Sequence, residues 1–112
     1  MDINKIENYL DTHRRKVLNK CSNILNRDVT IQSFNGIFGG KNHFYRVVPE
    51  SYSTANDYIK AWFDSFEQKY QSEKYKVGDI SSHRMKRLLE DEDIKNYVII
   101  YLARTYLRKS NK

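Results

Sequence analysis

Few residues in this chain could carry out chemistry. There are three histidines, His13, His43 and His83, and a single cysteine, Cys21. Zinc ligands usually include pairs roughly two to five residues apart, and none of these four residues lies that close to another. Nucleophile-elbow, HExxH and Walker sequences do not occur either. The sequence therefore predicts a protein that is not an enzyme and that uses no metal or other cofactor.

The stretch nearest to a phosphate-binding loop is 36–41, which contains three glycines and ends in Lys41. Its spacing differs from the Walker pattern, and no Ser or Thr follows the lysine. The turn of a β-hairpin explains these glycines better. Lys41 would then stand at the hairpin tip, where it could contact a ligand.

Positive charge is the strongest indication of function. Twenty Lys and Arg residues exceed fourteen Asp and Glu residues, which gives a formal net charge of +6. The excess lies at the two ends: residues 1–27 hold six basic and three acidic side chains, and residues 94–112 hold five basic and no acidic ones. If the two ends pack side by side, their charges form one patch. Because phosphate contacts need little more than positive charge, such a patch favours binding to DNA or RNA.

The candidate contacts are the cations of the first helix, the hairpin tip, the short helix near residue 85 and the C-terminal end. They are Arg14, Arg15, Lys41, Arg84, Lys86, Arg87, Arg104, Arg108 and Lys109.

A second function of a different class fits the same composition. A protein-interaction module or inhibitor could dock on an acidic partner protein, or on the nucleic-acid-binding surface of one that handles nucleic acid, since Tyr and Arg are enriched at interface hot spots. The Lys-, Asn- and Tyr-rich composition resembles that of small proteins of phages and mobile elements with AT-rich genomes, a resemblance that covers no motif. It implies an accessory factor of such an element.

The elements that must position these residues form an α+β fold. We expect a predominantly helical single domain with one β-hairpin, in the order α-β-β-α-α-α. Residues 3–26 repeat apolar side chains at spacings of three and four, which predicts a long amphipathic helix. Residues 29–34 alternate as a half-buried strand does, and 44–48 resemble a second strand closed by Pro49. The hairpin would turn at Asn35-Gly36 or, more economically, at 39–42.

Three helices are predicted after the hairpin. The first follows a cap at Thr54 and carries an aromatic stripe that includes Trp62. The second covers 79–90 and is capped by Asp79 or Ser81.

The last, 93–108, contains the most apolar run of the chain, Tyr97–Ala103, and is interpreted as a buried helix capped by Asp91 or Asp93. A buried strand is the alternative because Val98, Ile99 and Ile100 are β-branched. Together with 79–90 this helix could form a helix-turn-helix near the C-terminus.

Length and hydropathy set the remaining expectations. At 112 residues the chain is long enough for one compact domain, residues 1–112. Its longest apolar run is far shorter than the roughly 18 residues that a membrane span needs, so we expect no membrane association. The polar start Met1–Lys5 and the single cysteine predict a cytoplasmic, intracellular protein.

Overall fold

The computed structural model describes residues 2–39, 47–71, 76–77 and 79–110, and over these residues the protein is almost entirely helical. In chain order its α-helices are Ile3–Leu25 (α1), Ile31–Phe38 (α2), Ala55–Tyr70 (α3), Ser82–Glu90 (α4) and Glu92–Ser110 (α5), with a 3₁₀ turn at Pro49–Ser51 between α2 and α3. Two strands of two residues each, Lys76–Val77 (β1) and Ile80–Ser81 (β2), form one antiparallel pair in which Val77 lies opposite Ile80.

Helix α5 occupies the centre of the molecule. It packs against α1, α3, α4 and the 3₁₀ turn. Tyr97, Leu102 and Ala103 on this helix are buried, and they point in different directions around its axis. A helix that is apolar on most of its circumference must be enclosed by other elements. The prediction of one buried helix over 93–108 is confirmed, and the alternative strand is wrong.

Helix α1 runs antiparallel to α5 along one side of the molecule. Glu7, near its start, contacts Arg108, and Lys20, near its end, contacts Asp93. At 1.5 Å per residue its 23 residues span about 34 Å, comparable to the longest dimension of the protein, 36 Å. The apolar side that was predicted from spacing is buried, and Asn26 ends the helix in the left-handed conformation with φ of 54°.

The predicted β-hairpin is wrong, and with it the α+β fold class. Residues 31–38 form helix α2 where the first strand and the Asn35-Gly36 turn were expected. Of the second expected strand, 47–48 have no regular structure and Pro49 begins the 3₁₀ turn. Residues 40–46, which include the expected hairpin tip, lie outside the described residues. The protein is therefore nearly all-helical rather than α+β.

The physical reason lies in how α2 begins and in which of its side chains are buried. Thr30 and Ser33 form a reciprocal capping box, in which each side chain accepts a hydrogen bond from the backbone N–H of the other. Phe34, Ile37 and Phe38 are buried, and their spacing of three and four residues is helical. The alternation of apolar and polar residues that suggested a strand covers Val29 and Ile31 but fails at Phe34. Packing of the aromatic side chains in the core therefore favours the helix.

Aromatic rings join α2, α3 and α5 into one core. Phe34 is fully buried and meets the rings of Tyr97 and Tyr101 edge-on, with centroids 5.3 and 5.7 Å away. Trp62 of α3 stacks on Phe66 at 5.6 Å, so the prediction that α3 carries a buried aromatic stripe is confirmed. The Tyr106 hydroxyl donates a hydrogen bond of 2.8 Å to the Tyr52 carbonyl, which fixes the segment before α3 to α5.

Among the described residues, none of the helices is both long and apolar enough to cross a membrane.

Candidate nucleic-acid interface

Charge is distributed unevenly over the helices. Helix α1 carries five basic and two acidic side chains, α4 carries three basic and one acidic, and α5 carries four basic and two acidic, whereas α3 carries two basic and three acidic. Positive charge therefore belongs to α1, α4 and α5, and α1 packs against the other two. What matters for a ligand is which of these cations are already neutralised within the protein.

The two ends of the chain pack together as expected, but an acid lies between their cations. Glu7 of α1 accepts a hydrogen bond of 3.0 Å from Arg108 and lies 3.5 Å from Arg104. Arg104 is only 21% exposed and also lies over the Tyr101 ring, 5.3 Å from its centroid. Two of the predicted C-terminal contacts are thus engaged internally. Lys109 is exposed and has no ion pair among the described residues.

Sequence reasoning missed the role of Glu7. The signal for it is that Glu7 follows Ile3 by four residues and precedes Leu10 by three, so it lies along the edge of the apolar stripe rather than on the solvent face. An acid at the edge of a buried face is stabilised by a cation from a neighbouring helix. The C-terminal segment, which is remote in sequence, carries a run of such cations.

The acidic run 90–93 is also partly neutralised, by lysines of α1. The Lys20 ammonium lies 2.6 Å from Asp93 and 3.2 Å from Asp91, and Lys16 lies 3.3 Å from Asp93. The hydrogen bonds from Lys20 and then Lys16 lower the pKa of the Asp93 carboxyl below its usual value of 3.8, so it stays ionised. Asp91 additionally caps α5, since its Oδ1 accepts a hydrogen bond of 3.1 Å from the Ile94 N–H.

The three cations of α4 have different environments. Arg84 donates a hydrogen bond of 3.0 Å to the Leu25 carbonyl at the C-terminal end of α1. Lys86 and Arg87 are exposed and have no ion pair among the described residues. Glu90, the acidic residue of this helix, is also exposed, one turn further along the helix. Arg84 therefore joins α4 to α1, whereas Lys86 and Arg87 remain available to a ligand.

A polar cleft of about 390 Å³ surrounds Arg84 at the junction of α1 and α4. At its edge the Arg27 guanidinium donates two hydrogen bonds, of 2.7 and 2.9 Å, to the Asp79 carboxylate. This contact lowers the pKa of Asp79. Both arginines make hydrogen bonds within the protein, so the cleft joins the two helices, and the charge of Arg84 remains beside the Arg27–Asp79 pair because its partner is a neutral carbonyl.

On α1 the neighbours Arg14 and Arg15 also differ in whether they contact an acid. Arg14 lies 3.8 Å from Asp11, a weak and exposed contact. Arg15 is exposed and pairs with no acid in the part of the chain that is described. The predicted contact Lys41 lies outside the described residues. The structure thus leaves Arg15, Lys86, Arg87 and Lys109 as predicted contacts without an internal partner.

The predicted helix-turn-helix is also wrong. A turn of three or four residues joins the helices of that motif, and its second helix lies in the groove. Here Asp91 alone separates α4 from α5, and α5 is the central helix of the core, with Ile94, Val98 and Leu102 buried. A helix enclosed on most sides cannot enter a groove, whereas α1 and α4 carry exposed cations on their solvent faces.

The nucleophilic and metal-binding side chains that are described form no site together. The His13 ring contacts Tyr9, with centroids 4.2 Å apart, and His83 lies exposed on α4. Cys21 is 1% exposed, and burial raises the pKa of its thiol to about 12. Within the described ranges, no group of three or more His, Cys, Asp or Glu residues is placed to hold a metal ion.

No known family model, curated protein or solved structure matches this chain.

Proposed function

We propose that the protein is a non-enzymatic nucleic-acid-binding protein that contacts phosphates through the solvent faces of α1 and α4. The observation that carries this proposal is the exposure of Arg15, Lys86 and Arg87 without an acidic partner among the described residues. The positive charge of these side chains is therefore available to attract a phosphate. The charge of cations in internal ion pairs, such as Lys20 and Arg104, is already offset by an acid.

The position of the acidic residues supports the same surface. Asp91 and Asp93 lie beside α4, but their carboxylates contact Lys16 and Lys20. The neutralised pair repels a phosphate less than two free carboxylates would. Asp57 and Asp64 lie on α3, whereas Glu90 of α4 is exposed near Lys86 and Arg87.

The test is binding of fluorescent duplex and single-stranded oligonucleotides of mixed sequence over a range of salt concentrations. Each phosphate contact contributes about 0.9 to the slope of log K against log salt on duplex DNA. The combined replacement R15Q/K86Q/R87Q is expected to weaken binding and to reduce that slope by up to about three. All three side chains are exposed and pair with no acid in the described segments, so the fold should be unchanged.

Lys60 provides a matched control. It is exposed on α3, and its replacement by Gln removes one charge, as R15Q does. We expect R15Q to weaken binding more than K60Q. Equal losses would mean that net charge rather than this surface governs binding. If the wild-type protein leaves every oligonucleotide unbound at low salt, the proposal is wrong, and the alternative of a partner protein becomes the better explanation.

A further inference from the structure

We infer that the solvent face of α1 enters the major groove of double-stranded DNA and recognises A·T base pairs through asparagine side chains. This inference rests on the proposed nucleic-acid function and makes it specific. Its basis is a row of exposed polar residues at spacings of three and four along the helix. The row is Asn4, Asn8, Thr12, Arg15, Asn19 and Asn23.

These side chains have no structural task in the described part of the protein. All six are exposed, and the side chains of Asn8, Thr12, Arg15 and Asn19 make no hydrogen bond to another described residue. Their spacing places them on the side of α1 opposite Val17 and Leu10, which are buried. They are therefore oriented away from the core and are available to an external ligand.

The residue types are unusual for a face that only contacts water. Asn and Thr are among the poorer helix formers, whereas Lys, Glu and Gln favour helices and are common on solvated faces. Helix α3 has a solvent face of the ordinary kind, with Asp57, Lys60 and Asp64. The row on α1 contains a single charged residue, Arg15. Helix stability does not favour such a choice of side chains, and a ligand with its own hydrogen-bond donors and acceptors would give them a role.

The chemistry of the row matches the edges of base pairs. The Asn amide can donate to N7 and accept from the N6 amino group of adenine in the major groove. The Thr methyl group suits the methyl group of thymine. The four central residues, Asn8 to Asn19, extend over about 16 Å of helix, close to the length over which a straight helix can contact base edges in B-DNA.

The charges beside the row fit the walls of the groove. Lys5 and Lys16 lie along one edge, exposed, and Lys16 is partly compensated by Asp93 at 3.3 Å. Asp11 on the other edge is exposed and has Arg14 at 3.8 Å. Lysines beside a mostly uncharged, hydrogen-bonding row suit a groove in which phosphates flank base edges, and Arg14 offsets Asp11 on the opposite edge.

The groove dimensions select duplex DNA over duplex RNA. The B-DNA major groove is about 12 Å wide and admits an α-helix, whereas the major groove of A-form RNA is too deep and narrow for side chains to read. A helix that presents its contacts as one straight row suits the first and not the second.

The experiment is a selection from random-sequence duplex DNA, followed by affinity measurements on the selected and a scrambled duplex, with duplex RNA of the selected sequence alongside. We compare the wild type with N8A/N19A. The control is N56A/N96A, which removes two exposed asparagines from α3 and α5. Because Ala is the better helix former, N8A/N19A should fold at least as stably as the wild type.

We expect the wild type to select a site containing A·T pairs and to prefer it over the scrambled duplex and duplex RNA. N8A/N19A should lose at least about tenfold of that preference while keeping its affinity for the scrambled duplex, since base contacts discriminate and phosphate contacts do not. N56A/N96A should behave as the wild type. Equal binding to all duplexes, or a preference that survives N8A/N19A, would overturn the inference and leave the proposed function in place. Absence of binding to every probe would overturn both.

Discussion

Arg84 and Arg87 lie one turn apart on α4 and have different roles. The Arg84 guanidinium binds the Leu25 carbonyl at the end of α1, where helix carbonyls lack partners within the helix. The positive charge also suits the negative end of the α1 dipole. Arg87 projects into solvent and pairs with no acid among the described residues. One arginine stabilises the fold, and the other is free to contact a ligand.

We predict that Arg84→Gln lowers the free energy of unfolding by about 1 kcal/mol, because it removes a charge-assisted hydrogen bond to a carbonyl that is partly buried. Urea denaturation followed by far-UV circular dichroism would measure the change. The same substitution should weaken nucleic-acid binding less than Arg87→Gln does, because the Arg84 guanidinium is held against the end of α1.

The control for this prediction is Arg87→Gln. Its side chain is exposed, so the free energy of unfolding should stay within about 0.5 kcal/mol of the wild type, while affinity for nucleic acid should fall. A reversed result, with Arg87→Gln unstable and Arg84→Gln deficient in binding, would contradict the roles given to both residues.

Residue types predicted the candidate surface only in part. A count of cations identifies Arg104 and Arg15 as equal candidates, yet Arg104 meets Glu7 across 97 positions of sequence and Arg15 meets no described acid. Such pairs depend on how α1 and α5 cross. Composition and periodicity do not contain that information, because the same stripe of apolar side chains can pack at several crossing angles.

At the scale of elements, α2 shows what local pattern can and cannot determine. The long helices α1, α3 and α5 have many apolar positions, so their 3.6-residue period is unambiguous. Helix α2 has only eight residues, and the first part of its sequence fits a strand equally well. Its helical state depends on the burial of Phe34 against Tyr97 and Tyr101, which is a tertiary contact.

Two glycines of this region give a test of that assignment. A methyl group added at Gly36 would meet no atom within 4 Å, so Gly36→Ala should raise the free energy of unfolding by about 0.5–1 kcal/mol through helix propensity. At Gly39 the added atom would collide with the Tyr101 hydroxyl and lie 2.9 Å from the Asn35 carbonyl, so Gly39→Ala should destabilise by about 1–3 kcal/mol.

The urea concentrations at the unfolding midpoints of the two variants would distinguish helix α2 from the predicted hairpin. In an Asn-Gly turn of type I′ the glycine has a positive φ, which Ala adopts only with strain. A loss of stability in Gly36→Ala would therefore favour the hairpin and contradict helix α2.

On the scale of the whole molecule, α5 is the element on which the others depend. It contacts α1, α3, α4 and the 3₁₀ turn, and its side chains Ile94, Val98 and Leu102 are enclosed between them. A cavity made in α5 therefore affects several packing interfaces together. If the protein is one compact domain, as the sequence predicts, the elements that pack on this helix should unfold together with it in one cooperative transition.

We predict that Leu102→Ala lowers the free energy of unfolding by about 2–5 kcal/mol without separating the unfolding of the parts. Trp62 fluorescence reports on α3, and far-UV circular dichroism reports on all helices. Their urea transitions should coincide in the wild type and in the variant. Two transitions at different urea concentrations would indicate that α3 unfolds apart from the rest.

The buried thiol of Cys21 has a practical consequence for such work. It is 1% exposed, and its raised pKa, about 12, keeps it protonated at neutral pH, where alkylating reagents attack the thiolate. A cysteine introduced on the solvent face of α3, at Gln68 for example, would be the reactive one. A dye or spin label could then be attached away from the exposed face of α1 while the native sulfur stays unmodified.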